Sequence, residues 1–231
     1  MPTFFQRYRS SLANRILRAG RAGFTLIELL VVIAVITIIT AFILFSQNQF
    51  DSSTLLRSLA YQVALSLRQA QLYGVSVRGV YSASGTSFAS AYGVNFSNSN
   101  LKQYTIFADL NKNGTPDTGE SLTSAGGSLL TIGAGYSLSQ FCAYSGSGSI
   151  QDCYPSGVGG GASITSLSMY FKRPLPDATF STYINGVLHA SNYSAAYVKV
   201  KSNGSSDFRT VKITNTGQII VCPLNTAPPS C

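Results

Sequence analysis

Residues 23–45 read GFTLIELLVVIAVITIITAFILF. No other stretch limits the possible folds of this chain as strongly. After Gly23 come 22 residues that are almost wholly apolar, and one of them is a glutamate, Glu28. At ~1.5 Å rise per residue a helix of that length spans about 33 Å, the thickness of a bilayer's hydrocarbon core. A carboxylate in a membrane helix costs ~2.5–3.5 kcal/mol at its centre and less towards its end. Such a charge is expected to serve a partner.

The surrounding sequence narrows the meaning of this stretch. Five of the 16 basic residues (Arg7, Arg9, Arg15, Arg18, Arg21) precede Phe24, and no acid does. Without them the charge falls from +8 to +3. The basic balance therefore describes a leader, not a nucleic-acid-binding domain. Positive charge stays on the cytoplasmic side, so the helix is expected to enter the membrane with its N-terminus inside. An ordinary secretory signal is cut after its apolar core, at a small-residue pattern. Here Ser46-Gln47-Asn48-Gln49 follows the core, and the small residues Ala22-Gly23 stand before it.

Gly23-Phe24-Thr25-Leu26-Ile27-Glu28-Leu29, joined to a basic leader and an apolar helix, resembles the prepilin peptidase site of type IV pilins and type II secretion pseudopilins. The resemblance implies cleavage after Gly23 by a membrane aspartyl protease on the cytoplasmic face. It also implies N-methylation of the new terminus, Phe24, and retention of the helix. Glu28 is then the residue expected to pair with the terminal amine of a neighbouring subunit during assembly.

Beyond a polar break at residues 46–53, an apolar stripe of Leu56, Leu59, Val63, Leu67 and Ala70 predicts an amphipathic helix, with Gly74 as a stop. Short β-branched and aromatic runs come next, at 76–81, 91–96, 103–108, 128–136, 139–144, 166–172, 196–201, 209–213 and 218–221. They are separated by Gly/Ser/Asn turns and by a long Gly/Ser-rich loop at 145–163. The expected class is α+β: a pilin fold, with a long N-terminal helix whose first half spans the membrane, packed on antiparallel sheet. The order of elements, with SMYFKRPLPDATF and VKVKSNGSSDFRTVKITNTGQIIV, resembles GspH/FimT-like minor pilins. The expected divisions are a leader at 1–23, a membrane and filament-core helix at 24–45, an amphipathic continuation at 46–75 and an extracytoplasmic β-rich domain at 76–231.

A second motif lies at residues 109–120, DLNKNGTPDTGE. On a calcium-loop template Asp109, Asn111, Asn113, Thr115 (through its carbonyl), Asp117 and Glu120 fall at ligand positions, and Gly114 at the sharp turn. Calcium takes six to eight oxygens, and this spacing wraps oxygens about a point. Pro116 and the strand-like QYTIFA upstream argue against a paired EF-hand. A metal-free turn, built from the residues turns prefer, is the alternative.

The four cysteines, Cys142, Cys153, Cys222 and Cys231, allow three pairings, and their spacings favour two local loops. Disulfides would place the domain in an oxidising compartment. Enzyme constellations are missing: there is one histidine, His189, expected on a solvated turn beside Asn185-Gly186, and no phosphate loop or nucleophile elbow. Lys172-Arg173 and the Lys199, Lys201, Arg209, Lys212 group are read as solvated strand faces. Some GspH/FimT-like pilins are DNA receptors with a basic tail, whereas CPLNTAPPSC has no basic residue.

The expectation is thus a non-enzymatic filament subunit, a minor pilin or pseudopilin. Its partners are prepilin peptidase, other pilin subunits and the inner membrane, and no nucleic acid. A pilus-tip DNA-uptake receptor and a calcium-dependent adhesion module on a pilin stalk are the alternatives.

Overall fold

A computed structural model describes residues 23–76, 79–82, 85–88, 91–117, 119–120, 129–146, 151–190, 192–228 and 230–231. The expected leader, apart from Gly23, lies outside the described residues. Internal contacts divide the chain into two units, Met1–Asn48 and Gln49–Cys231.

Helix α1 spans Leu26–Val75 without interruption. The polar residues 46–53 therefore do not end it: Gln, Asn and Ser lower helix propensity by tenths of a kcal/mol each, unlike Pro. Over its first 20 residues, Leu26–Phe45, mean hydropathy is 2.9 and no side chain is buried. This segment is long and apolar enough to cross a bilayer.

In the second unit α1 buries Leu56, Ala60, Val63, Leu67 and Ala70 completely or nearly so. These positions follow the three-and-four spacing of one helix face. Leu59, expected on that stripe, is only partly buried, and Ala60 takes its place at the centre. Gly74 lies within the last turn of α1, not beyond it. A Cβ there would meet Phe171 Cβ at 2.7 Å, so its smallness serves close packing of the helix on a strand.

The sheets are antiparallel throughout. One has six strands in the order β10-β9-β8-β3-β4-β5 (Val187–Ala190, Ala178–Ile184, Ser166–Lys172, Ala91–Ser97, Gln103–Asp109, Leu129–Thr131). The other has five, β13-β12-β11-β6-β7 (Ile219–Val221, Phe208–Thr214, Ala195–Ser202, Tyr136–Tyr144, Gln151–Tyr154). A separate hairpin joins β1 (Gly79–Ser82) to β2 (Gly85–Phe88). The α+β class is as expected. Four strands were not anticipated: β2, in the stretch expected as a turn after residue 81, β7 inside the expected Gly/Ser loop, and β9 and β10 after the RPLPD turn.

Register explains the shared core. Across the six-stranded sheet Phe180, Met169, Val94 and Ile106 stand in one row. Across the five-stranded sheet Phe141, Val198 and Val211 do the same. Both rows and the α1 stripe belong to a single buried cluster. Each fully buried large apolar side chain contributes ~1.5–3 kcal/mol of transfer free energy.

Polar bonds set the helix in place. Buried Gln71 donates through Nε2 to Pro176 O (2.9 Å) and Gly217 O (3.1 Å), one from the turn before β9 and one from the turn after β12. Ser66 Oγ shares a hydrogen bond with Tyr104 OH at 3.0 Å. Gln71→Ala removes both carbonyl contacts, and a destabilisation of ~1–3 kcal/mol is expected in urea melts of the chain.

Candidate functional site

At the start of α1, Gly23, Phe24 and Thr25 are not helical. Thr25 Oγ1 accepts the Glu28 N–H at 3.3 Å, and Thr25 O accepts the Leu29 N–H at 3.2 Å. Thr25 is thus the N-cap, with Glu28 at the third helical position. The carboxylate lies in the first turn, where the partial positive charge of the unpaired N–H groups favours it. Residues 23–45 are all exposed in the described unit. The cap was missed in the sequence, although Thr25-x-x-Glu28 has the spacing of a capping box.

Residues 18–44 match the prokaryotic N-terminal methylation motif. The match supports a type IV pilin-like chain, processed by prepilin peptidase and assembled with other pilins. It covers the leader's end, Gly23, Phe24 and Glu28. No curated protein and no solved structure matches the chain.

The second candidate segment, 109–120, leaves the end of β4 and folds over the face of the six-stranded sheet that points away from the shared core. Asp109 is fully buried and Glu120 nearly so. The Asp109 carboxylate accepts N–H bonds from Asn113 (3.1 Å) and Gly114 (3.2 Å). Glu120 accepts from Leu110 (2.9 Å), Asn111 (3.1 Å) and Asp117 (3.1 Å). Asn111 and Asn113 both donate through Nδ2 to Asp117 Oδ2, at 2.6 Å each. Asn113 Oδ1 accepts the Thr115 N–H at 2.8 Å. Gly114 has φ +72°, and a Cβ there would meet the Tyr170 ring at 3.0 Å, so both conformation and space call for glycine.

All six expected ligand residues therefore belong to one hydrogen-bonded loop. Among the described residues, no three Asp, Glu, His or Cys side chains converge as a metal cluster. Any ion held here would depend on amide and main-chain oxygens beside the carboxylates. Tyr183 OH donates to Asn113 O at 2.8 Å and fastens the loop to β9.

A polar cluster linking strands of the two sheets escaped the sequence. Asp152 on β7 accepts hydrogen bonds from Ala162 N (2.6 Å) and from Tyr193 OH. Tyr193 OH also shares a bond with Thr182 Oγ1 on β9, at 2.7 Å. His189 Nε2 lies 3.5 Å from Asp152 Oδ2. His189 is exposed, as expected, but its place on a turn is corrected: it stands on β10, because the chain continues as an edge strand after Asn185-Gly186.

The cysteines pair as Cys142–Cys153 and Cys222–Cys231. Cys142 and Cys153 face each other across β6 and β7. Of the basic group, Lys199 lies over the Phe208 ring at 4.4 Å, and partial burial lowers its pKa. Arg209 Nη1 donates to Cys222 O and Lys212 Nζ to Cys231 O. Three of these cations are thus engaged within the domain.

Burial raises the phenol pKa of Tyr183 and of Tyr197 from 10.0 to about 12, and raises that of Tyr193 further. A pKa raised in the folded state means the protonated phenol stabilises the fold. That contribution is complete below pH ~10 and is lost as pH climbs towards ~12. Denaturant midpoints should therefore fall between pH ~10 and ~12, together with a late rise in tyrosinate absorbance. Tyr183→Phe should make the fall shallower.

Proposed function

We propose that this chain is the precursor of a minor, GspH/FimT-like pilin or pseudopilin, working by assembly into a filament. The observation that carries the reading is the methylation motif at 18–44, set on a wholly exposed apolar helix start and followed by an antiparallel β domain. Prepilin peptidase cuts between Gly23 and Phe24 and methylates Phe24. The subunit waits in the cytoplasmic membrane through residues 24–45, with its β domain outside. On assembly that helix leaves the lipid and joins a bundle of like helices. Glu28 then pairs with the terminal amine of a neighbour. In low dielectric an unmatched charge is strongly disfavoured, so the pair selects register.

The domain's interior supports extracytoplasmic life: both cysteine pairs are bridged, and free cysteines are absent among the described residues. A DNA-uptake role is the weaker reading, since Lys199, Arg209 and Lys212 have internal partners.

Mass spectrometry tests the processing step. Gly23→Ala should leave the precursor uncut, whereas Glu28→Ala should be cut yet absent from sheared filaments. Normal cleavage of Gly23→Ala would overturn the reading.

A second reading, calcium binding at 109–120, is favoured by charge. The segment carries three carboxylates against one cation, Lys112, and two of those carboxylates are buried. Asp109, Asn111, Asn113, Asp117 and Glu120 would supply side-chain oxygens and Thr115 its carbonyl. The amides of Asn111 and Asn113 would have to turn over, exchanging Nδ2 for Oδ1. A bound ion stabilises by mass action, ~2.7 kcal/mol at a hundredfold excess over Kd. Thermal melts in saturating calcium and in chelator should differ accordingly, and Glu120→Gln should abolish the difference. Identical melts for the unaltered chain would retire the site.

A further inference from the structure

We infer that Thr25 is a positioning residue for the processing reaction: its cap ends α1 one residue short of Phe24, so that the Gly23–Phe24 bond stays outside the helix. The inference rests on the proposed processing at Gly23. Two observations carry it. The first is the Thr25 Oγ1 bond to the Glu28 N–H, with Gly23, Phe24 and Thr25 non-helical. The second is the methylation-motif match, which independently marks this terminus as one that an enzyme modifies.

The cap matters because of its surroundings. The first N–H groups of a helix have no partner within it, and in lipid they have no water either. Downstream of Thr25 the run Leu26–Val35 has no capping residue type; its one polar member is Glu28. Upstream stands Gly23, and glycine is an acceptable N-cap. If the Thr25 side chain cannot cap, the favourable adjustment is extension by two residues, with Gly23 as the new cap. Phe24 then takes helical geometry, and the scissile bond becomes part of the first turn. A protease takes its substrate extended across the scissile bond, so that turn must unwind before cleavage.

The test compares single substitutions in the full-length precursor, in detergent micelles with purified prepilin peptidase. Thr25→Val keeps the shape of threonine but removes the cap. Thr25→Ser, Thr25→Asn and Thr25→Gly differ in shape but all suit an N-cap. Ser, Asn and Gly variants should be cut at close to the unaltered rate. Thr25→Val should be about fivefold slower, the size of effect a lost cap produces. In labelled precursor, the Phe24 Cα chemical shift of Thr25→Val should move towards helical values, a change that loss of a side-chain contact with the peptidase would not cause.

The outcomes separate the processing reaction from the role of the cap in it. If the unaltered precursor is cut elsewhere or not at all, the processing reading fails, and this inference with it. If it is cut after Gly23 and Thr25→Val is cut equally fast, only the inference is overturned. If Ser, Asn and Gly variants are all as slow as Val, the peptidase reads threonine itself, and capping is likewise overturned.

Discussion

The folded domain depends on one apolar stripe. Leu56, Ala60, Val63, Leu67 and Ala70 share a core with rows from both sheets. Without that helix face, Phe180-Met169-Val94-Ile106 and Phe141-Val198-Val211 would lose a common packing partner. The polar contacts at its margin are few but well placed. Gln71 reaches a turn belonging to each sheet, and Ser66 reaches Tyr104. Hydrophobic burial supplies the magnitude, and these directional bonds select one rotational setting of the helix.

The same helix begins with an apolar segment whose side chains have no cover in the described structure. A carboxylate in its first turn has two physical explanations, and they are compatible. Locally, Glu28 sits where the helix dipole favours an anion and where the Thr25 cap starts the helix. In the assembly we propose, the same exposed carboxylate would meet a neighbour's terminal amine. Precursor and filament would then use one residue in succession, because the local role leaves the side chain on the surface.

The loop at 109–120 shows how a motif and a turn share one chemistry. The spacing that would wrap oxygens about a cation also lets carboxylates and amides accept main-chain N–H groups. Here Asp109, Glu120, Asn111 and Asn113 do so. Tyr170 and Tyr183 on the outer sheet face then hold the loop in position. That placement depends on β8 and β9, and no feature of the loop sequence announces it.

Periodicity alone made α1's buried face and most central strands legible, because burial on one face imposes a spacing of three and four in helices and of two in strands. The methylation motif was legible for another reason: its signal is local, carried by consecutive residues from Gly23 to Leu29. The sequence likewise held the Thr25-x-x-Glu28 spacing, a local signal that went unread beside the apolar run. The strands β2, β7, β9 and β10 were not legible. They lie in or beside Gly-, Ser- and Pro-rich stretches that read as turns, and each is held by main-chain hydrogen bonds to the strand next to it in the chain. Asn95 meets Ser168 across 73 residues, and Tyr193 meets Asp152 across 41. By itself, then, the sequence determined the membrane-length helix, the methylation motif at its start and the β character of the remaining chain. Only the tertiary structure decided which edges close the sheets, where His189 and Asp152 meet, and which face receives the acidic loop, because those contacts join residues that no local pattern relates.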